Sequence, residues 1–367
     1  MGGFMIKPKE SHFRKRRKLY RPFFYILIVW LSIAFSQNAA SSASKEPIHV
    51  DLTKTLGFIM GQRFSLNRIK DEYPTLSLQV KMAELEFNSS FGISEKNIEK
   101  ELKGLFKGKY PEFISTMRKQ LDNTLNSQQI TQDVAIQFLE EVKLRAAGEI
   151  PSPMLETLLI YQFKEKPVNE LLRGFKTIYR TNGHPKSKGL DLQIEYPRSW
   201  SEREGNRPNV IKYFSSNNGR GPAGALIMTR DLVKEAQGEL TRQEIKTLQT
   251  IEGSKELALE VFSESSLIEI ANGMGMSNVR SINTKRIVID RWPGAVLDFI
   301  GDAQRLDFNI TMYNRMYIAI YKNYMIFLQC QVTKMPNETA EELSTKISQF
   351  DPMFRLMANS LVIQSQY

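Results

Sequence analysis

The sequence predicts an α+β protein: an N-terminal all-helical domain followed by an αβα sandwich with an antiparallel sheet. Three observations predict it. From Asp51 to about Tyr161 apolar residues recur at helical spacing. After Gly183-His184-Pro185 the spacing changes to two. Four strand patterns then follow closely between Val279 and Val332. A period near 3.6 marks a helix with one buried face, and a period of two marks a strand. Connections this short between successive strands make antiparallel pairs.

The first 43 residues read as a targeting segment. Eight basic side chains lie between Lys7 and Arg21, followed by an apolar run from Phe23 to Phe35 and a small, polar stretch from Ser36 to Ser44. That order is the secretory signal layout, with small-residue cleavage sites at Ser41-Ser42-Ala43 or Asn38-Ala39-Ala40. As a helix the apolar run spans about 20 Å, short of a hydrocarbon core of about 30 Å. Cleavage is therefore expected, and an inner-membrane anchor formed by residues 23–35 is the alternative. Either route exports the rest of the chain to the periplasm or the exterior. No cysteine stands in the small, polar stretch after the apolar run, which excludes a lipoprotein anchor there.

This segment also accounts for the charge. The chain carries 50 Lys and Arg against 40 Asp and Glu, a net of +10. Residues 1–43 hold eight of the bases and one of the acids, so 42 face 39 in the remainder. No dense basic block is left, and nucleic acid is not an expected partner. The lone Cys330 excludes an intrachain disulfide. It shares the apolar parity of Ile326, Leu328 and Val332, which places it in a core.

The helical domain is read over residues 44–165. Leu52, Leu56, Ile59 and Leu66 mark its first helix, with Gly57 and Gly61 permitting close approach of a neighbour. Tyr73-Pro74 opens a second helix, with Leu76, Val80, Ala83 and Phe87 inside, since proline suits a first turn. Ser94 reads as the cap of a third, Tyr110-Pro111 as the entry of a fourth, and a fifth runs from about Gln128 to Ala147. Pro151 and Pro153 stop it.

The second domain is read over residues 166–367. A helix is expected from Asn169 to Tyr179. Strands follow at Leu190–Tyr196, Val210–Phe214 and Ala225–Arg230. A capping box, Thr241-Arg242-Gln243-Glu244, opens a helical stretch that ends near Ala271. The four closing strands are expected near 279–289, 295–301, 306–320 and 325–332, with one buried face clear in the third. Two helices, near 338–350 and 353–361, end the chain.

The run Leu192-Gln193-Ile194-Glu195-Tyr196-Pro197-Arg198-Ser199-Trp200, the meander from Trp292 to Val332 and the closing Phe354 to Leu361 together resemble the PsbP-like fold. That family comprises extrinsic subunits of photosystem II and assorted bacterial envelope proteins. The resemblance covers about residues 186–363 and leaves out the helical half. It implies an αβα sandwich and an assembly, stabilising or binding role without catalysis.

Residues able to carry chemistry are few. His49 lies beside the mature start and His184 in the turn Asn182-Gly183-His184-Pro185, a poor basis for a His/Cys metal site or a hydrolase triad. Asp298, Asp302 and Asp307 gather around an expected turn at Gly301–Arg305 and are the candidates for a hard cation, with a solvated hairpin end as the plain alternative. The stretch Asn218 to Gly224 lacks the Gly-Lys-Ser/Thr of a phosphate cradle and leads into a strand, so it reads as a loop. The segment from Tyr196 to Asn209 mixes aromatic and charged residues between two strands. With His184 it supplies the candidate partner- or ligand-binding residues Trp200, Glu204, Arg207 and Asn209. Against that, Trp200 also suits the end of a sheet core. The polar parity of Tyr313, Arg315 and Tyr317 reads as a face covered by a helix, or as a binding surface.

No cofactor signature is found. The expectation is an exported, non-catalytic envelope protein that binds a partner or supports an assembly. A small-ligand or metal-ion binding protein and an enzyme with dispersed residues are the alternatives.

Overall fold

The computed structural model describes residues 47–126, 130–236, 238–305 and 308–367. Residues 1–43, read above as a targeting segment, and Asp307 lie outside the described residues. The helical half contains α1 (Ile48–Glu72), α2 (Ser77–Phe106), α3 (Tyr110–Asn126), α4 (Gln132–Ala146) and α5 (Met154–Gln162). Leu52, Leu56, Ile59 and Leu66 of α1 and Val80, Ala83 and Phe87 of α2 are buried in one core, as their spacing predicts. Gly57 and Gly61 face Met117 and Leu121 of α3. A β-carbon at Gly61 would stand 3.6 Å from Leu121 Cδ2, ordinary contact, so the approach does not require glycine.

One helix boundary differs from the expectation. α2 runs through Ser94 unbroken, and the hydroxyl expected to cap a new helix instead donates to Leu158 O of α5 at 2.9 Å. Serine inside a helix commonly turns its hydroxyl to backbone carbonyls, and here the carbonyl belongs to a neighbouring helix. The Asn169–Tyr179 helix is also shorter than expected. α6 (Val168–Leu172) ends before Gly174, whose φ of +85° belongs to the left-handed region. Thr177, Ile178 and Tyr179 then favour a strand, and β1 (Lys176–Arg180) forms.

β1 pairs with β2 (Leu192–Pro197), which also pairs with β10 (Val362–Ile363), in a small antiparallel sheet. The main sheet has seven strands in the order β3 (Ser201–Glu204), β4 (Val210–Ser215), β5 (Ala223–Asp231), β9 (Tyr324–Thr333), β8 (Phe308–Tyr321), β7 (Trp292–Arg305) and β6 (Ser277–Ile289). Every neighbouring pair is antiparallel. The β6–β7 turn is two residues long, and Asp290 and Arg291 both have positive φ, which matches the twist of such hairpins.

Helices α7 (Arg242–Leu248), α8 (Ile251–Val261) and α9 (Glu264–Asn272) cover one face of this sheet, with Leu257, Leu267 and Ile270 against Leu297, Phe299 and Phe327. The other face is covered by α10 (Ala340–Asn359) and the small sheet, with Met353, Phe354 and Met357 near Ile227, Leu328 and Cys330. The protein is therefore α+β, helical at its N-terminal end, with helices on both faces of the antiparallel sheet. β8 accordingly buries both parities. Met312, Met316 and Ile318 meet one core; Tyr313, Tyr317 and Ala319 meet the other. The tyrosine parity is covered by a helix because α10 supplies charges to match it. Cys330 is fully buried, and burial pushes its thiol pKa up.

The two helices expected at the C-terminus are one, α10, continuous through Pro352. Its start is a capping box: Thr339 Oγ1 accepts from Glu342 N at 3.2 Å, and Glu342 Oε2 accepts from Thr339 N at 2.7 Å. Thr339→Ala is expected to lower stability by about 1 kcal/mol in a chemical melt, the usual cost of a lost cap. Among the described residues no helix is long and apolar enough to cross a membrane.

The two halves are held together by polar and aromatic contacts. Arg220 Nη1 reaches Asp51 Oδ2 at 2.8 Å, with Asp51 buried at the start of α1. Arg173 Nη1 donates to Ser89 O at 2.8 Å, and the rings of Phe91 and Phe175 lie 5.6 Å apart.

Candidate functional site

The residues singled out in the sequence separate into two places, at opposite ends of the short strand β3. Glu204 closes the strand. Its carboxylate accepts from Lys212 Nζ at 2.8 Å and from His184 Nε2 at 2.8 Å. His184 Nδ1 accepts from Lys186 N at 3.2 Å, so the neutral ring carries its proton on Nε2 and donates it to Glu204. Hydrogen bonds from Lys212 and then His184 hold the Glu204 carboxyl below the usual range. Asn209 Oδ1 accepts from Lys188 Nζ at 2.8 Å, and the same ammonium donates to Thr229 O at 3.0 Å. Lys186 Nζ donates to Gly205 O. Arg207 belongs to the same loop, where its carbonyl accepts from Val210 N at 3.2 Å. His184, Glu204 and Asn209 thus fasten the 184–188 turn to the β3–β4 loop. Their donors and acceptors serve the fold. The Glu204 side chain is 58% exposed while those of His184 and Lys212 are largely covered, at 20% and 13%.

Of the three carboxylates expected around a turn at 301–305, the two described ones, Asp298 and Asp302, are not brought together. β7 continues to Arg305, so Asp298 and Asp302 stand in the strand, four residues apart. A strand rises about 3.3 Å per residue, which separates their α-carbons by about 13 Å. Asp298 faces Arg315 across the ladder and is bound to it through both oxygens, at 2.6 and 2.8 Å. Asp302 accepts from Asn278 Nδ2 at 3.0 Å and lies 3.7 Å from Arg280. Among the described residues no group of three or more His, Cys, Asp or Glu is placed to hold a metal ion.

At the other end of β3 lies Trp200, buried and edge-on to Phe350 of α10 with ring centroids 6.4 Å apart. Trp200 does close the sheet core, and it also forms a wall of a cleft of about 330 Å³ where the helical half meets the sandwich. Tyr161, Phe163 and Lys164 bring the end of α5 to this cleft; Lys346, Phe350 and Met353 bring one face of α10. Its volume falls in the range of small-molecule pockets, about 300–1,000 Å³.

Glu170, on α6, lines the same cleft and is only 2% exposed. Its Oε1 accepts from Ser199 N and its Oε2 from Ser199 Oγ, both at 2.7 Å. Burial raises its pKa from 4.5 to about 7, against the opposing pull of the Ser199 hydroxyl and the amides of Ser199 and Arg198. The carboxyl therefore changes charge near neutral pH, inside an aromatic recess. At the rim Lys164 pairs with Glu101 at 3.4 Å, and Lys346 pairs with Glu338. Burial first, then Glu101, raises the pKa of the Tyr161 hydroxyl.

Sequence reading found Trp200 but missed Glu170, Lys346 and Phe350. Glu170 sits in Val168-Asn169-Glu170-Leu171-Leu172, where nothing local distinguishes it from a solvated helix residue. Its partner is 29 residues away. The one usable signal was the Pro-Arg-Ser-Trp turn, whose buried amides need an acceptor.

No family model matches this chain, and no curated protein matches it. Among solved structures, the chain is similar to PA94 of Pseudomonas aeruginosa, described as a protein of unknown function. The identity is 13%, over 52% of this chain and 97% of that one, with a TM-score of 0.22.

Proposed function

We propose that this is an exported, non-catalytic envelope protein that acts by binding a partner or supporting an assembly, with the cleft between its halves as the docking place. The observation that carries this reading is the cleft itself. It is walled by aromatic side chains drawn from both halves, and Trp and Tyr are the residue types that anchor partners most often. Its charged groups are each held in a hydrogen bond or ion pair, which favours recognition over proton transfer. The targeting segment supports export, and the likeness to the PsbP-like fold supports a subunit role.

The test uses the exported chain as bait in an envelope extract beside Trp200→Ala and Lys346→Glu. A stoichiometric partner that the wild type retains, and that both variants lose while keeping the wild-type circular dichroism spectrum, is the expected result. Equal recovery by all three baits removes the cleft from the interaction.

Glu170 favours a second reading, a small-ligand site. An organic cation entering an aromatic recess would be attracted by the rings and by an ionised carboxylate at its floor. A thermal-shift screen with aliphatic and aromatic amines at pH 8 separates this reading from the first. It predicts an upward shift that Glu170→Gln abolishes.

A further inference from the structure

The outer face of α2 is apolar, and among the described residues nothing covers it. Its inner face is consumed by the helical core through Val80, Ala83, Phe87 and Phe91. On the opposite face Leu78 is 69% exposed, Met82 50% and Leu85 70%. The spacings, four then three, continue to Ser89 and Gly92, so these residues form one straight seam along the helix. In a heptad frame Leu78 and Leu85 take d positions, and Met82 and Ser89 take a positions. Leucine at d is compatible with two parallel strands, with the unbranched Met82 at the intervening a position.

The flanking charges choose the occupant. In this frame Lys81 is a g position and Glu86 the following e position. Both are exposed; no ion pair of Lys81 is seen among the described residues, and Glu86 acts on Lys143 of α4 through its charge. In a parallel pair of α2 helices, Lys81 of each copy faces Glu86 of the other, giving two attractive contacts by symmetry. An antiparallel pair centred on Met82 and Leu85 would set Lys81 against Asn88 and Glu86 against Gln79, with no charge matched. Arg173, which donates to Ser89 O, marks the C-terminal limit of the open face.

We propose that two copies of this protein associate through α2 as a parallel, two-fold coiled-coil contact with Leu78, Met82 and Leu85 in the seam. The arrangement is isologous: each seam residue meets its own counterpart. The apolar seam from Leu78 to Leu85 covers about one heptad, so the dimer is a weak one that concentration in the envelope favours.

Analytical ultracentrifugation of the exported chain up to about 100 µM should show a reversible monomer–dimer equilibrium with a micromolar dissociation constant, the range of small interfaces. Leu78→Glu/Leu85→Glu should be monomeric with an unchanged melting temperature, because both side chains are already exposed. Lys81→Glu or Glu86→Lys alone should each weaken the dimer about tenfold, and the double exchange should restore it. Orientation is read by oxidising Leu78→Cys. Position 78 meets itself only in the parallel pair and lies about 16 Å from itself in the antiparallel one. Buried Cys330 contributes no background. A monomer at 100 µM, a dimer indifferent to the glutamate pair, or charge exchange without rescue each overturns the proposal. Failure of Leu78→Cys to cross-link in a proven dimer overturns the parallel arrangement, and a monomer that binds a different protein through α2 overturns self-association.

Discussion

Arg315→Ala is expected to lower the free energy of unfolding by about 3–5 kcal/mol in urea melts at neutral pH, the cost of leaving buried charges unpaired. The guanidinium spans the gap between the sheet and α10. Its Nε and Nη2 hold both oxygens of Asp298, and its Nη1 pairs with Asp351. Tyr313 adds a hydroxyl donor to Asp298 at 3.1 Å. The side chains of Arg315, Asp298 and Asp351 are only 12%, 16% and 18% exposed. Burial is the largest single influence and works against the cation, but the hydrogen bonds to Asp298 together with the charges of Asp298, Tyr313 and Tyr317 exceed it, and the Arg315 pKa is raised. Alanine would therefore leave Asp298 with the Tyr313 hydroxyl alone and Asp351 with only the exposed Arg355. Arg355, which pairs with Asp351 at 2.7 Å from a side chain 64% exposed, is the internal control. Its alanine variant should cost less than about 1 kcal/mol. Equal effects at the two arginines would show that burial does not govern this network.

The second large effect is a pH dependence located at Glu170. Its folded pKa of about 7 lies above its ordinary 4.5, so the folded protein holds this proton more tightly than the unfolded chain does. Below pH 4.5 both states are protonated and the group favours neither. Between pH 4.5 and 7 the unfolded chain releases the proton first, and stability falls as pH rises by about 1.4 kcal/mol per unit. Above pH 7 the loss levels off near 3 kcal/mol. Glu170→Gln removes the titration while preserving shape, since its amide oxygen accepts from Ser199 N and its amide nitrogen donates to Ser199 Oγ. The variant should match the wild type near pH 4.5 and exceed it by about 3 kcal/mol at pH 8. Because the other carboxylates titrate in both proteins, the difference between the two curves isolates this site. A difference that stays constant from pH 4.5 to 8 would show that Glu170 does not titrate as its burial implies.

These two groups show what was legible beforehand and what was not. Arg315 stood out as a charge in a strand of alternating parity, and a covering helix was one of its two readings. Its partners were out of reach, because Asp298 meets it only through the β7–β8 register and Asp351 only once α10 lies across the sheet. Asp298 was noticed for the wrong chemistry. Reading the turn at 301–305 put three carboxylates together, whereas the strand extends to Arg305 and gives the first two different partners. Glu170 carried no signal at all. His184, Glu204 and Asn209 read in the sequence as partner- or ligand-binding residues, and in the structure their hydrogen bonds fasten a turn.

The amino-acid sequence by itself determined the periodicities: which stretches are helical, where the spacing changes to two, which side of each helix is apolar, and that Cys330 belongs to a core. These are properties of a few consecutive residues, because hydrophobic burial and backbone geometry impose them locally. Tertiary structure alone decided that both faces of the sheet are buried, that α2 continues through Ser94, and that α5, α6 and α10 enclose one cleft. Those outcomes depend on which distant groups satisfy one another, as Ser199 does Glu170 and Asp351 does Arg315. No window along the chain contains both partners.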